Sequence, residues 1–489
     1  MPIALDIKEE GTVLEVRRSI VRIEGLPHCL NGQLIDFSGG SKGMIMGFNE
    51  DEVLALILGS RHDVRPGEKV YGREESFKVP VGQKFIGRVV NSLCEPCDRK
   101  GVIENNGFTP LFREAPSVLE REPIIRPLET GIMTIDSMIP IGKGQRELIV
   151  GDHMTGKTMI ALDTILNQKG KNVVCIYCFI GKDYETLTKA VRVLKTYGAF
   201  EYTILVFALV SFSVGEQYLA PYTAAALGEF FMHKGRDVFV VLDDLTKHAW
   251  AYRQLSLLLE RSPGRDAYPG DVFYLHSQLM ERAGNLSEKF GGGSMTFFPI
   301  VDTIQGDVTG YIPSNLISMT DGQIYLRTSL FGEGFKPAVD LGLSVSRIGN
   351  KVQSKAMKEL SGMLRLEYIQ YKELLKMSKL KAGLSAEVEA KLKRGEALTQ
   401  ILIQEKNKPS LHEEQLIMLY ALRKGVLDSL TIDKIKKFKK EIYKFSREHN
   451  LPLVNELAEK RELTQKVKKG VDDILKEYFS ADARADVSH

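Results

Sequence analysis

The residues Gly151-Asp152-His153-Met154-Thr155-Gly156-Lys157-Thr158 fit the phosphate-loop pattern G-x-x-x-x-G-K-[ST]. Glycines at this spacing let backbone N–H groups turn towards phosphate oxygens. Lys157 sets a positive charge beside the β- and γ-phosphates, and Thr158 offers a hydroxyl to Mg²⁺. Glu147-Leu148-Ile149-Val150 reads as a strand before the loop and Thr158 to Leu166 as a helix after it, its N-terminus facing the anion. The expected ligand is ATP or ADP with Mg²⁺. A second signal is Val238-Phe239-Val240-Val241-Leu242-Asp243-Asp244. A buried strand ending in carboxylate holds Mg²⁺ in such folds, through a water. Two acids in a solvated loop are the plain alternative. Beside a phosphate loop the metal reading is the stronger, with Asp243 and Thr158 as the magnesium residues.

A hydrolytic site also needs a group that orients or deprotonates the attacking water. In nucleotidases of this type that group belongs at the end of the strand after the first helix. Here that strand ends Phe179-Ile180-Gly181-Lys182-Asp183. Lys182 is a cation and cannot take a proton from water at neutral pH. Asp183, one residue on, points elsewhere if the backbone stays extended. The pattern predicts nucleotide binding without fast turnover. Cys94-Glu-Pro-Cys97 and Cys175-Ile-Tyr-Cys178 both read C-x-x-C, but the second pair lies in an apolar strand-like run, where residues three apart face opposite ways. Small core and turn residues explain these cysteines better than zinc, and five cysteines, an odd count, suit a reducing compartment.

The elements that must position these residues fall into three blocks. Length alone, 489 residues, suggests roughly three domains. Thr12–Val16, Ser19–Ile23 and Val53–Leu58 are short β-rich runs between turn clusters, which predicts a barrel or sandwich. From about residue 80 to 350, apolar runs (Glu147–Val150, Val173–Ile180, Tyr202–Leu209, Val238–Leu242) alternate with helical stretches, which predicts a mostly parallel sheet covered by helices. Beyond that the chain reads as helix. Met357, Leu360, Leu364, Tyr368, Tyr371 and Leu375 form one apolar stripe; Ile432, Ile435, Phe438, Ile442 and Phe445 form another. The lysines around the second stripe (434, 436, 437, 439, 440 and 444) read as a solvated face. A formal charge of +3 argues against a nucleic-acid coat. No apolar run approaches the roughly 20 residues of a membrane span, and Met1 to Asp6 lack a signal or transit pattern.

Longer ordered segments carry a resemblance. Asp136–Gly142, Gln145–Ile149, Gln217–Tyr222, Ala251–Ser277 with Pro263-Gly264-Arg265-Asp266-Ala267-Tyr268-Pro269-Gly270-Asp271, Ile317–Ile324 and Gly342–Arg347 together make the chain similar to the α subunits of F-type ATP synthases over nearly its whole length. The resemblance implies an α/β multidomain protein: an N-terminal β-barrel over residues 1–78, a RecA-like nucleotide-binding domain over 79–352 and a C-terminal helical bundle over 353–489. It implies an alternating hetero-hexamer with β subunits around a γ rotor, coupled to a membrane ion-translocating sector, peripheral on the cytoplasmic face of the cell membrane, with no nucleic-acid partner. Catalysis would then lie mainly on β. By residue type alone, Arg347 is equally a structural arginine at a strand end. The resemblance implies that it reaches the nucleotide of the neighbouring β subunit as an arginine finger.

Departures from the family pattern cluster at the nucleotide site. His153-Met154 stand where the family carries Arg-Gln, and Lys182 stands where it carries Gln. A lysine there would contact the γ-phosphate or repel Mg²⁺. Lys336-Pro337 replace Arg-Pro in the adenine pocket; of a glutamine pair, Gln404 remains and Lys406 replaces the other. Lys381-Ala382-Gly383-Leu384-Ser385 replace an acidic segment near γ. The barrel pattern begins by Gly11, without the helix that meets the stator's δ subunit, so δ contact would need another route, and a hydrolysis-driven rotary motor is an alternative. A homohexameric RecA-type RNA-dependent ATPase is a second, though Lys182 and the charge balance speak against it. A free-standing ATP-sensing subunit is a third.

Overall fold

The computed structural model describes residues 9–49, 51–59, 64–378 and 385–487. The first block closes on itself. Strands β1 (Glu10–Arg17), β2 (Ile20–Gly25), β3 (Gln33–Phe37), β4 (Lys42–Phe48), β5 (Val53–Leu58) and β6 (Lys69–Ser76) form a closed barrel in the order β1-β2-β5-β4-β3-β6. Alternation explains the closure. Val13, Val21, Ile23, Ile35, Ile45, Ala55 and Val70 fill the interior, while Ile20, Leu34, Met44 and Leu56 pack outward against the next domain. Closure also removes the sheet edges that an open sandwich would expose.

Two small strands, β7 (Lys78–Val81) and β9 (Gly107–Pro110), pair antiparallel beyond the barrel. The central sheet takes β8 (Val89–Asn91), β10 (Leu148–Asp152), β11 (Val173–Lys182), β12 (Thr203–Leu209), β13 (Asp237–Asp243), β14 (Gly284–Asn285), β15 (Ser294–Thr303), β16 (Gly322–Leu326) and β17 (Val345–Ser346). Its order is β17-β16-β10-β15-β13-β11-β12-β8, with β14 attached to β15. Neighbours are parallel except at β16/β17 and β14/β15. Strands β11, β12 and β13 are buried on both faces, so they read as continuous apolar runs rather than alternating ones. Cys175 and Cys178 lie in the separate cores on opposite faces of this sheet.

Helices α1 (Met133–Met138), α2 (Lys157–Leu166), α3 (Tyr184–Thr196), α4 (Val214–Met232), α5 (Leu245–Leu258), α6 (Val272–Glu281), α7 (Tyr311–Met319) and α8 (Thr328–Gly332) belong to this domain. Helix α4 is buried almost all round, which its uniformly apolar sequence requires. Of its two buried carboxylates, Glu216 accepts from Ser213 Oγ at 3.2 Å at the N-cap, and Glu229 meets Arg282 after α6 in two hydrogen bonds of 2.7 and 2.8 Å. Arg282 also donates to Leu111 O at 2.9 Å, so the buried guanidinium is satisfied.

The C-terminal part comprises α9 (Lys355–Ser361), α10 (Leu364–Ser378), α11 (Ala386–Leu402), α12 (His412–Arg423), α13 (Ile432–Lys460) and α14 (Gln465–Val487). Two sequence expectations need correction here. The stripe from Met357 to Leu375 spans two helices, because the chain leaves the helix at Gly362, a residue of low helix propensity; Met357, Leu360, Leu364 and Tyr368 still share one core. The lysine run is not uniformly solvated. Lys439 turns inward and donates to Ile401 O at 2.6 Å and to Ile403 O, at the C-terminal end of α11. Burial lowers its pKa to about 8. Lys381 to Leu384 lie outside the described residues; Ser385 caps α11, its side chain accepting from Val388 N–H. The helical part shares a continuous core with one face of the sheet, so the two domains are packed together rather than tethered.

Candidate functional site

The phosphate loop leaves the C-terminal end of β10 and enters α2. Gly156 makes the turn with φ of 102°, left-handed geometry that a side chain would resist. Asp152 anchors the loop rather than facing a ligand. Its Oδ1 accepts from Thr303 Oγ1 at 2.6 Å and Gly306 N–H at 2.7 Å, and its Oδ2 accepts from Thr328 Oγ1 at 2.9 Å. Partial burial raises the Asp152 pKa, but these bonds and the Lys157 charge outweigh it and hold the carboxyl below its usual range. Thr155 Oγ1 donates to Asp152 O at 2.8 Å, closing the loop on itself. His153 and Met154 are its exposed tip, and His153 Nδ1 lies 3.7 Å from Asp302 Oδ2.

Lys157 is buried. Its ammonium donates to Gly151 O at 2.8 Å and Asp152 O at 2.6 Å and pairs with Asp302 Oδ1 at 2.8 Å. Asp302 lies at the end of β15, the strand between β10 and β13. Burial works against its charge, but Lys157 more than compensates and keeps its pKa low.

Thr158 and Asp243 come together as the sequence predicts: Thr158 Oγ1 donates to Asp243 Oδ2 at 2.9 Å, and the buried Tyr177 hydroxyl donates to the same oxygen at 3.0 Å. The other oxygen is taken. Lys182 Nζ stands 2.9 Å from Asp243 Oδ1 and 3.0 Å from Asp244 Oδ2, and both carboxylates are fully buried. The lysine reaches them because β11 bulges at Gly181, whose φ of 63° shifts the register between Ile180 and Lys182. Burial opposes the Lys182 charge, yet the two carboxylates push its pKa upward. Burial lifts Asp244 to about 6 despite the lysine. A divalent cation held by Thr158 and Asp243 would face an ammonium on the far side of the same carboxylate. The donor set therefore does not fit Mg²⁺ well, although the pair expected to hold it is present. Asp183 is spent as the N-cap of α3, accepting from Thr186 N–H at 2.7 Å.

On the far side of α2, the loop after α11 approaches the nucleotide domain. Lys336 O accepts from Gln404 N–H at 2.7 Å, and Lys336 Nζ sits 4.4 Å from the Phe331 ring centroid. The peptide bond from Lys336 to Pro337 is cis. The Gln404 side chain is committed to backbone: Oε1 accepts from Met133 N–H at 3.1 Å, and Nε2 donates to Gly131 O at 2.7 Å and Lys408 O at 2.8 Å. Its work here is to clamp the loop, and Lys406 is exposed. Beside them, Asp163 of α2 accepts from Asn407 N–H at 2.8 Å.

Arg347 belongs to the other end of the sheet. Its N–H donates to Asp321 O at 2.8 Å, just before β16, whereas Gly151 of the phosphate loop aligns with Leu326 at the end of β16. Five residues of strand separate the two levels, about 16 Å. Arg146 holds the Asp321 end through two hydrogen bonds of 3.0 and 2.8 Å. The Arg347 side chain is exposed, with one long contact to Ile317 O at 3.4 Å.

Sequence reasoning missed Asp302 and Tyr177. Asp302 carried a usable signal, since Met295–Val301 is an apolar run ending in carboxylate, like β13. Tyr177 carried none, because only the pairing of β11 with β13 brings it beside Asp243.

Comparison with known proteins places these observations in a family. Residues 131–346 match the ATP synthase alpha/beta family, nucleotide-binding domain; residues 353–478 match the ATP synthase alpha/beta chain, C terminal domain; and residues 6–73 match the ATP synthase alpha/beta family, beta-barrel domain. The chain is 47% identical over 470 residues to a protein named ATP synthase subunit alpha from Clostridium botulinum strain Hall, covering 96% of this chain and 93% of that protein. A namesake from strain Alaska E43 is 46% identical over the same shares.

Proposed function

The chain belongs to the ATP synthase alpha/beta family, and on that premise we propose that it is the nucleotide-binding α subunit of an F1-type ATP synthase. One observation carries the reading: the phosphate loop and Arg347 lie at opposite ends of one sheet. The arginine cannot serve its own loop, yet it is exposed where a neighbouring subunit can receive it. The nucleotide site in turn lacks a base at the end of β11, since Lys182 is ion-paired and Asp183 is a helix cap. One chain thus binds a nucleotide it is poorly equipped to hydrolyse and offers a guanidinium to a site elsewhere.

In this reading the ligand is ATP or ADP, held by Gly151, His153, Met154, Thr155, Gly156, Lys157 and Thr158, with Asp152 bracing the loop and Lys336, Pro337, Gln404 and Lys406 flanking the base side. The magnesium ion expected with it is disfavoured by Lys182. The partners are β subunits in an alternating ring and a γ rotor, with the stator's δ subunit and the membrane ion-translocating sector completing the assembly. The protein is peripheral on the cytoplasmic face of the membrane; among the described residues no helix is long and apolar enough to cross it. The RNA-dependent motor, the hydrolysis-driven paralogue and the free-standing sensor find no support in the similarities and are set aside. Mixing the full-length chain with its β and γ subunits tests the assignment. Native mass spectrometry should find α and β in equal number in one ring. An α chain that stays apart from β would count against it.

A further inference from the structure

Two fully buried carboxylates, Asp243 and Asp244, and the partly buried Asp302 lie beside the phosphate loop. Two lysines answer them. Lys157 pairs with Asp302, and Lys182 bridges Asp243 and Asp244. A phosphate-loop lysine paired in this way accounts for one negative charge and leaves the Asp243–Asp244 pair to be neutralised. A divalent ion bound at Asp243 is the solution expected of such a fold. Here the protein supplies a covalently attached cation in its place.

The placement of Lys182 is built rather than incidental. The Gly181 bulge, with positive φ, redirects the end of β11 towards β13. The lysine side chain is only 14% exposed and both carboxylates are 0% exposed, so moving the ammonium away would leave two buried anions unpaired. Mg²⁺ binds in near-ideal octahedral geometry and gives up its waters reluctantly, usually relying on one or two carboxylates plus substrate phosphates. Here the one carboxylate beside Thr158, that of Asp243, is already shared among Thr158, Tyr177 and Lys182.

We propose that this phosphate loop takes its nucleotide without a divalent cation, the Lys182 ammonium standing where the metal would act. The ligand class is then a metal-free nucleoside polyphosphate. Its phosphates would lie between the Lys157 and Lys182 ammoniums, while the Thr158 hydroxyl keeps its hydrogen bond to Asp243 Oδ2. The proposal rests on the reading of this chain as a nucleotide-binding subunit and adds the ionic form of the ligand.

The test uses the isolated full-length chain, ATP as ligand and Mn²⁺ as a paramagnetic stand-in for Mg²⁺. ATP affinity is measured by equilibrium dialysis in EDTA and in excess Mg²⁺, for the wild type and for Lys182→Gln, and bound Mn²⁺ is counted by electron paramagnetic resonance. Because Mg²⁺ in solution sequesters ATP as its complex, the wild type should bind ATP about tenfold or more weakly in excess Mg²⁺ than in EDTA, and hold little Mn²⁺ in the presence of ATP. Lys182→Gln should gain about tenfold or more in affinity on adding Mg²⁺ and hold one Mn²⁺ with each ATP. A wild type that binds ATP as tightly in excess Mg²⁺ as in EDTA, or more tightly, or that holds Mn²⁺ stoichiometrically with ATP, overturns the proposal, and this outcome stands even if the variant does not fold. Failure of the folded wild type to bind ATP in either condition overturns the nucleotide-binding reading itself, and this proposal with it.

Discussion

Lys157 and Asp302 form an ion pair 2.8 Å long that ties the phosphate loop to the end of β15. The carboxylate keeps the buried ammonium compensated, and it also stands where an incoming phosphate must compete for the same charge. Removing that competition favours the anion. Asp302→Asn should bind ATP about three- to tenfold more tightly than the wild type and lose about 1–3 kcal/mol of stability, as expected when a partly buried ion pair is broken. Isothermal titration with ATP and thermal melting check both halves. Weaker ATP binding by a folded variant would show that Asp302 supports the bound state.

Arg282 and Glu229 join α6 to α4 through a fully buried bidentate pair. Arg282→Met strands the Glu229 carboxylate and should cost about 3–5 kcal/mol. Arg282→Met combined with Glu229→Leu removes both charges and should recover much of that loss, although Leu111 O then loses its donor. Chemical denaturation of the three proteins provides the comparison.

The Asp163 carboxyl gives a pH signature. Burial pushes its pKa up to about 7 against the hydrogen bond from Asn407. At low pH the folded and unfolded chains both hold the proton, and its stabilising contribution is complete. As pH rises from the ordinary carboxyl range through about 7, the unfolded chain releases the proton first, so the folded state loses stability. Asp163→Asn keeps an acceptor for Asn407 and cannot ionise. Its advantage over the wild type should grow by about 2 kcal/mol between about pH 5.5 and pH 8. An advantage that does not change with pH would mean that Asp163 remains ionised in the fold.

Much of this architecture was legible because each block follows a different rule. The apolar runs of β11 and β13 could only be two-sided buried strands, and the loop after β10 declared itself through glycine spacing. Barrel versus sandwich was not decided by strand composition, since both need alternating residues; register and closure settle it. The site was read half-way. Lys182 stood out as a misplaced cation, and phosphate contact and magnesium repulsion were both open. Choosing between them needed the bulge at Gly181 and the alignment of Phe179 with Asp243, neither of which is a property of local sequence. Gln404 was read as a base contact, but its amide is spent on three backbone groups that meet it only through tertiary packing. Lys439 was read as solvated because its neighbours are; the open carbonyls at the end of α11 draw it inward.

As proposed above, this chain binds nucleotide at one end of its sheet and lends Arg347 from the other to a catalytic site on a neighbouring subunit. ATPase turnover of rings assembled from β, γ and variant α chains tests it most directly. Arg347→Ala should leave ring assembly intact and slow turnover by about a thousandfold, whereas Lys157→Ala, at a site that does not turn over, should slow it by less than about tenfold. Undiminished turnover in the Arg347→Ala ring, or equal losses from the two substitutions, would contradict the account.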